Sequence, residues 1–197
     1  MVEDHAADTG EAFHVETSRL VLRDWRASDW APFFRHTNTP AVMRWLGGVL
    51  DAEKQTAVRD RLLSYRADHG FTFWAVTRKG DGGHMAGELL GFCGLKRSNL
   101  EPGPIGEMEI GWRLREDAWG HGYAAEAARK SLALAFERFG APHVIALTVL
   151  ENMASRRLME RLGMTRRAAR DFRAEGDAAW AENIIVYDIT REDWAAQ

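Results

Sequence analysis

The sequence predicts an α/β domain with a mixed, twisted central sheet flanked by helices. Three observations lead to this prediction. Apolar residues alternate strictly with other residues over 108–115, which indicates a strand with one apolar face. Two glycines, Gly120 and Gly122, then lead into an Ala- and Leu-rich stretch at 123–139 whose apolar residues have helical spacing. The predicted elements interleave in the order β, α, α, β, β, β, α, β, α, β, β, as in α/β chains.

The early elements follow from their boundary residues. A first strand is predicted at residues 20–22. Ser28 is a preferred N-cap residue and precedes an apolar-faced stretch that Pro40 interrupts, which predicts a first helix. Asp51 opens a longer predicted helix that ends before Gly70, since glycine commonly terminates helices. Residues 71–77 and 89–95 flank a glycine-rich turn and are predicted as a hairpin, and the last elements are a strand at 144–149, a helix at 152–162 and strands at 164–168 and 183–190.

Length and composition favour one globular domain. The chain has 197 residues, 46% of them hydrophobic, which suffices for a sizeable core. We expect residues 1–15 to form a flexible tail and residues 16–197 to form the single domain, because the first segment is acidic and rich in small residues. No repeat or linker divides the rest.

Several function classes are disfavoured by composition. A formal net charge of -3 gives no overall attraction to nucleic acid or to an anionic membrane. No apolar run approaches the ~18 residues needed to span a bilayer, and the polar N-terminus is unlike a secretory signal, so a cytoplasmic location is expected. Cys93 is the only cysteine and is expected to be buried and inert. The seven histidines lack metal-ligand spacing, so no metal is predicted.

The strand, the glycine turn and the helix that follows together form an anion-binding arrangement. The first amides of a helix have no intrahelical partners, and the helix dipole adds positive potential there. Glycines let the backbone come close to a phosphate. A P-loop would require a Lys followed by Ser or Thr where Tyr123 and Ala124 stand, and a dinucleotide fingerprint would require a third glycine.

The turn resembles the Q/R-x-x-G-x-G/A loop of the GNAT N-acetyltransferases, which holds the pyrophosphate of acetyl-CoA. Gly122 and Ala124 fill its fourth and sixth places, and Trp119 fills the first, where most families have Gln or Arg. The string EIGW-x-L-x-x-x-x-WG-x-GYA-x-EA resembles the branch named after the ribosomal-protein N-terminal acetyltransferases, the RimJ/RimL-like branch. The resemblance covers about residues 17–190 and implies a GNAT-like fold with a splayed central strand pair.

This resemblance implies acetyl-CoA as co-substrate and assigns its contacts. The pyrophosphate is expected on the turn formed by Trp119, Gly120, His121, Gly122, Tyr123 and Ala124. The pantetheine arm is expected beside Trp112, Arg113 and Leu114, where the central strand and the next splay apart at a bulge and leave an open strand edge. The amide of Trp112 matches the family's usual donor to the thioester carbonyl. An ordinary β–α turn and a strand that only packs the core remain the alternatives.

Ser155 and Glu109 are the candidates for catalysis, and Asn152 is a candidate contact to the cofactor. Asn152 and Ser155 lie on one side of a predicted first helical turn; in similar enzymes the Asn contacts the pantetheine arm and the Ser is the general acid for the leaving thiolate. The alternative for Asn152 is an ordinary N-cap. Glu109 is the candidate general base, and its alternative is an ion pair with Arg113. Glu126, in the first turn of the central helix, is interpreted as compensating the helix dipole.

The resemblance implies an N-acetyltransferase in which a primary amine, from a protein N-terminus or a small molecule, attacks acetyl-CoA directly in a ternary complex. No triad is apparent that would form a covalent intermediate. The alternative is a non-catalytic acyl-CoA-binding module. Trp25, Trp45 and Trp74 are candidates to line the acceptor pocket.

The sequence says less about binding partners than about the cofactor. Seven arginines between Arg156 and Arg173 form either a solvated face or a docking surface for RNA or the CoA 3′-phosphate. Nucleic acid is not expected as a partner unless the enzyme acts at the ribosome, no membrane is expected, and a homodimer is left open.

Overall fold

The predicted mixed sheet is present and forms the centre of the molecule. The computed structural model describes residues 12–175 and 183–197. Within these ranges the strands are β1 (His14–Glu16), β2 (Leu20–Arg23), β3 (Phe73–Arg78), β4 (Leu89–Arg97), β5 (Met108–Leu114), β6 (His143–Val149), β7 (Thr165–Arg166) and β8 (Ile184–Thr190). They lie in the order β1-β2-β3-β4-β5-β6-β8-β7. The central β5–β6 pair is parallel, whereas the neighbouring pairs are antiparallel.

Helices cover both faces of the sheet. In the described ranges they are α1 (Trp30–Thr37), α2 (Pro40–Met43), α3 (Ala52–His69), α4 (Tyr123–Ala133), α5 (Met153–Arg161) and α6 (Arg191–Ala195). The helix α4 continues as a π-helical segment, Leu134–Arg138. The α/β prediction with a mixed sheet between helices is therefore confirmed.

The alternation along β5 divides its side chains between two cores. Met108, Ile110 and Leu114 pack with the buried residues of α4 and α5 in the main hydrophobic core. On the opposite face, Phe92 of β4 packs with the buried residues of α1 and α3 in a second core. Because Phe92 is the cross-strand partner of Arg113, the residues Glu109, Gly111 and Arg113 face α1 and α3.

The two central strands separate toward their carboxyl ends. The parallel pair β5–β6 has one register pair, Glu109 with Ile145, and the strands do not pair beyond it. Each strand remains paired along its length on its other side, β5 with β4 and β6 with β8. The bulge expected at this place is absent from the β4–β5 ladder, whose register is continuous. A register shift occurs in the β3–β4 ladder instead, where Val76 and Thr77 pair with Gly91 and Leu89 and leave Leu90 of β4 as the extra residue. The gap thus arises from divergence of the strands.

The sheet begins earlier than the predicted boundary after residue 15. Phe13 is buried and its ring stacks on Trp74 at a centroid distance of 4.2 Å. The next residues form β1, which pairs with β2. Burial of an aromatic ring explains why this short segment is ordered against the core. The other residues of the predicted tail, 1–11, lie outside the described residues.

The start of α1 and the presence of a C-terminal helix differ from the prediction. Ser28 lies within a 3₁₀ turn, and α1 begins after Asp29, whose carboxylate accepts hydrogen bonds from the amide of Arg26 and from the guanidinium of Arg23. The C-terminal helix α6 was not predicted. The sequence signal for this five-residue helix is its N-cap: the side chain of Thr190 accepts a hydrogen bond from the amide of Asp193.

Candidate active site

The glycine turn leaves a set of unpaired amides at the start of α4. Gly120 and Gly122 have positive φ angles of 79° and 78°, which glycine adopts without strain. Gly122 occupies the N-cap position and has no side chain to cap the helix. The first hydrogen bond back to the cap comes from the amide of Glu126 to the carbonyl of Gly122. The preceding amides of the first turn, including those of Tyr123 and Ala124, have no partner in the described residues and can bind an anion.

The side chains of this turn hold it in place. The indole Nε1 of Trp119 donates a hydrogen bond of 2.9 Å to the carbonyl of Leu114 at the end of β5, although the ring is 48% exposed. Tyr123 is buried and donates its hydroxyl to the carbonyl of His84 at 3.1 Å. The ring of His121 stacks on the ring of His84, with centroids 3.8 Å apart. Tyr123 can therefore contact a ligand only through its backbone. Trp119 can contact one only through the face of its indole ring, because its N–H is already used.

Glu126 ties the turn to the connection between β1 and β2, a contact that the sequence did not indicate. Its carboxylate accepts hydrogen bonds from the hydroxyls of Thr17 and Ser18 at 2.6 and 3.0 Å. The amide and Nε of Arg19 add two more, at 2.8 and 2.7 Å. Burial by itself raises the pKa of Glu126, but these hydrogen bonds outweigh it and the pKa is lowered. Glu126 thus braces the turn, beyond the dipole compensation that the sequence suggested.

The same brace places a positive charge beside the turn. Nη1 of Arg19 donates a hydrogen bond of 3.0 Å to the carbonyl of His121. Its Nη2 is 3.4 Å from the position that a Cβ atom on Gly122 would occupy. The guanidinium therefore lies next to the unpaired amides and can offer N–H groups to an anion there, while the carboxylate of Glu126 balances its charge.

The open edge of β5 directs backbone groups into the gap between the central strands. The amide of Arg115 bonds to Leu90 of β4, and successive residues of a strand point their amides in opposite directions. The N–H and C=O of Trp112 therefore point away from β4 and toward the gap, where β6 has separated. The carbonyl of Leu114 points the same way and is used by Trp119. These directions agree with Trp112 as the donor expected for a thioester carbonyl.

Arg113 does not fit the cofactor role predicted for it. By the same alternation its backbone groups are directed to β4, and its side chain lies on the face of α1 and α3. No group of Arg113 is left to enter the gap. The direction of each backbone group depends on strand pairing, which the alternating pattern alone does not determine.

The first turn of α5 lies at the carboxyl end of β6. Asn152 caps the helix, since its Oδ1 accepts a hydrogen bond of 3.3 Å from the amide of Ser155. The N-cap alternative for Asn152 therefore describes its side chain. The hydroxyl of Ser155 has no hydrogen-bond partner in the described residues and is half-buried. Ser155 shares a helical stripe with Leu158 and Met159, which pack into the core on the α4 side.

Glu109 is paired with a lysine instead of Arg113. Lys96, its cross-strand neighbour on β4, places Nζ 3.2 Å from Oε2 of Glu109, and both side chains are about one-tenth exposed, 11% and 10%. The contact is close enough for charge attraction but not aligned as a hydrogen bond, and Oε2 has no hydrogen-bond partner in the described residues. Nζ donates instead to Asn99 at 2.8 Å. The alternative of an ion-paired Glu109 is therefore met by Lys96 and not by Arg113, because the β4–β5 register places Lys96 opposite Glu109.

Glu109 and Ser155 flank the gap from opposite faces of the sheet. Glu109 faces α1 and α3, whereas Ser155 belongs to the helix that packs with α4. Glu109 lies at the closed end of the gap, where β5 and β6 still pair, and Ser155 lies at the open end, beyond β6. The two groups therefore approach the gap from different faces and from different ends.

Other candidates have ordinary structural roles. Trp74 is fully buried in the main core, so its assignment to the acceptor pocket is wrong. Trp45 is half-buried beside Leu147 and Val149 of β6, and Trp25 donates its indole N–H to the carbonyl of Phe73. Cys93 is buried, and this burial raises the pKa of its thiol to about 12.

The arginine-rich segment does not form one helix face. Arg166, Arg167 and Arg170 lie beyond α5 and are ion-paired with Asp171, Asp188 and Glu107, respectively. This pairing favours a solvated surface over a docking site, and docking of RNA or the 3′-phosphate stays a prediction. In the described part of the chain, no three His, Cys, Asp or Glu side chains come together to hold a metal. Nor does any described helix combine the length and apolar character needed to cross a bilayer.

Comparison with known proteins identifies the family. Residues 19–165 match the family described as Acetyltransferase (GNAT) domain. The uncharacterized N-acetyltransferase YnaD of Bacillus subtilis is 26% identical over 183 residues, which are 92% of this chain and 99% of YnaD. The FsC-acetyl coenzyme A-N(2)-transacetylase of Aspergillus fumigatus is 33% identical over 132 residues, which are 64% of this chain and 52% of that protein.

A solved structure shares the architecture. The acetyltransferase from Agrobacterium tumefaciens matches 95% of this chain and 100% of its own, with a TM-score of 0.76 and 24% identity. That likeness shows the fold alone. The family match spans more than half of the chain, and the chain therefore belongs to the GNAT acetyltransferase family and is an acyltransferase enzyme.

Proposed function

We propose that this enzyme transfers the acetyl group of acetyl-CoA to a primary amine, with both substrates bound at once. One observation carries the proposal: the unpaired amides at the start of α4 adjoin the open edge of β5. A diphosphate at the helix terminus and an extended arm along the strand edge would use these two features together.

The turn residues supply the phosphate contacts. The amides of the first turn of α4 would bind the pyrophosphate, and the guanidinium of Arg19 would add a charge close to them. Gly122 keeps this surface open because it has no side chain. Trp112 would donate its backbone N–H to the thioester carbonyl. A donor of this kind strengthens as the oxygen gains charge and is worth roughly 3–4 kcal/mol in measured cases.

The chemical step uses the groups on either side of the gap. Acetyl-CoA supplies the acetyl group as a thioester. Glu109 accepts a proton from the attacking amine, whose nitrogen forms the new bond to the carbonyl carbon. The carbon–sulfur bond breaks, and the hydroxyl of Ser155 donates its proton or a hydrogen bond to the departing thiolate. A hydroxyl that has given up its proton takes one back from solvent, to which Glu109 releases the proton of the amine. No covalent enzyme intermediate is required, and Cys93 is too deeply buried to provide one.

An acyl-CoA-binding module without turnover would not need the hydroxyl of Ser155, which has no hydrogen-bond partner in the described residues, or the carboxylate of Glu109, which Lys96 holds at 3.2 Å. Placement in the RimJ/RimL-like branch rests on the string around the glycine turn and stays a prediction. A cytoplasmic location and a homodimer likewise stay predictions.

Replacement of Ser155 by alanine tests the chemical part of the proposal. We expect kcat to fall by about 10²-fold while acetyl-CoA affinity stays within a few-fold of wild type, because the hydroxyl acts on the leaving group. Turnover is followed by release of the CoA thiol and affinity by calorimetry. Ser64→Ala, at an exposed serine on α3, is the matched control and should leave both unchanged. Wild-type kcat in a folded Ser155→Ala enzyme would make Ser155 an ordinary residue of the first helical turn.

A further inference from the structure

Arg113 is buried, and none of the residues that the structure describes provides it with a counter-ion. Its side chain is on the face of α1 and α3, and the residue is 6% exposed. The guanidinium carbon lies 4.5 Å from the ring centre of Phe33 and 5.2 Å from that of Phe92. Nη1 contacts the sulfur of Met43 at 3.2 Å. Nε and Nη2 have no hydrogen-bond partner in the described residues.

The surroundings oppose this charge. A buried ion normally requires a paired and hydrogen-bonded partner, because it has lost its hydration. Stacking on two aromatic rings offsets part of the lost hydration free energy. The thioether sulfur of Met43 offsets little of it, because it is only a weak hydrogen-bond acceptor. Burial, with a smaller contribution from Arg61, lowers the pKa of Arg113 to about 9. Binding of an anion would therefore strongly stabilise the charged form of Arg113.

Among residues 12–175 and 183–197, the elements around Arg113 provide no anion that contacts it. From α1 it meets Phe33, from α2 Met43 and from β4 Phe92, while Arg61 of α3 carries the same charge. Glu109 shares its face, but it is four residues away, about 13 Å along the strand, and is paired with Lys96. The local field is therefore positive and selects an anionic group.

The two free nitrogens determine which anion fits. Nε and Nη2 lie on one edge of the planar guanidinium, so their N–H groups point in parallel. The two oxygens of a carboxylate match that edge and can accept both hydrogen bonds. Met43 is the flexible group that a stronger acceptor would displace.

The position of Arg113 connects this edge to the reaction. Arg113 follows Trp112, the residue whose amide points into the gap, and faces the same side as Glu109. Between Glu109 and Arg113 lies Gly111, where an added Cβ would come within 2.8 Å of the ring of Phe73. Along β5, the side of the sheet toward α1 and α3 therefore carries, in order, the carboxylate of Glu109, the ring of Phe73 beside Gly111 and the guanidinium of Arg113. A small amine anchored at Arg113 would lie on this face next to the gap, and its proton would reach Glu109 through intervening waters, because Glu109 is about 13 Å away along the strand.

We propose that Arg113 binds a carboxylate of the acceptor, so that the acceptor is an amine of the amino-acid class. This inference rests on the proposed acetyl transfer and narrows its acceptor. A protein N-terminus, whose first carboxyl group is an amide, does not supply the anion that Arg113 lacks.

The test compares L-amino acids with their amides, which differ in the carboxylate charge. CoA release is measured with each pair for wild type and for Arg113→Met, which keeps an apolar side chain of similar length. Wild type should prefer the acids in kcat/KM by about 10²-fold, and the variant should lose that preference with unchanged acetyl-CoA affinity. Arg113→Lys, which keeps a charge without the two-nitrogen edge, should fall between them and serves if the methionine variant does not fold. Arg138→Met, at an exposed arginine that also stacks on two phenylalanines, is the matched control.

The possible outcomes separate this inference from the proposed function. Equal turnover of acids and amides, or preferred turnover of peptides with amidated C-termini, would overturn the role of Arg113 and leave acetyl transfer standing. A preference for acids that persists in Arg113→Met would overturn it as well. If no amine is acetylated, acetyl transfer fails, and calorimetry with the same amino acids still decides the inference. Binding to wild type and not to Arg113→Met would support the carboxylate site, and absence of binding to both would refute it.

Discussion

Replacing Gly122 by valine is expected to weaken acetyl-CoA binding by at least about 10²-fold. Gly122 has a φ of 78°, a conformation that is strained for a β-branched residue. The valine side chain would also extend into the space in front of the unpaired amides, where the nearest protein atom to its Cβ is Nη2 of Arg19 at 3.4 Å. It would thus exclude the phosphates and disturb the adjacent guanidinium. Calorimetric titration of the folded variant with acetyl-CoA measures the effect.

A matched glycine distinguishes strain from loss of the binding surface. Gly106 has a φ of 80°, no atom lies within 4 Å of its added Cβ, and it precedes β5 at the end opposite the turn. Gly106→Val should therefore carry a similar backbone strain and keep normal affinity. Unchanged affinity in a folded Gly122→Val protein would place the pyrophosphate elsewhere.

Replacing Glu109 by glutamine is expected to lower kcat by about 10²-fold or more and to change the acidic limb of the pH–rate profile. Glutamine keeps the shape of the side chain but cannot accept the proton of the amine. The free acceptor amine titrates in the same direction, so wild type and variant must be compared with one acceptor. Rescue of the lost rate by a more basic buffer anion would further support Glu109 as the base.

Glu107 is the control for this experiment. It lies just before β5, and its carboxylate is bound by His143 and Arg170 on a different part of the surface. Glu107→Gln should cost some stability and keep both the rate and the pH profile. A near-normal rate with an unaltered profile in Glu109→Gln would rule Glu109 out and favour a chain of waters held by backbone carbonyls. The acetyl-CoA site would be unaffected by that result.

The parts of the fold set by local patterns were predictable from the sequence. The alternation over 108–115 specifies which side chains of β5 enter the main core, and the structure confirms it for Met108, Ile110 and Leu114. The glycine turn and the helix start are equally local, because positive φ angles and a missing cap follow from Gly120 and Gly122 themselves. Asp51 as the cap of α3 is another such case.

The parts that depend on pairing were not predictable in this way. Lys96 meets Glu109 through the β4–β5 register, and no spacing along the chain indicates that register. The brace between Arg19 and Glu126 joins residues 107 positions apart. The orientation of Arg113 away from the gap follows from the same register, which is why the cofactor role expected for it did not fit.

The most direct test of the central claim is amine-dependent release of the CoA thiol by the wild-type enzyme, with the product identified by mass spectrometry. The account predicts that acetyl-CoA alone is hydrolysed slowly, and that an accepted amine accelerates thiol release and yields one N-acetylated product for each thiol. Binding of acetyl-CoA without acceleration by any amine in a broad panel, including amino acids, peptides and polyamines, would contradict acetyl transfer to an amine.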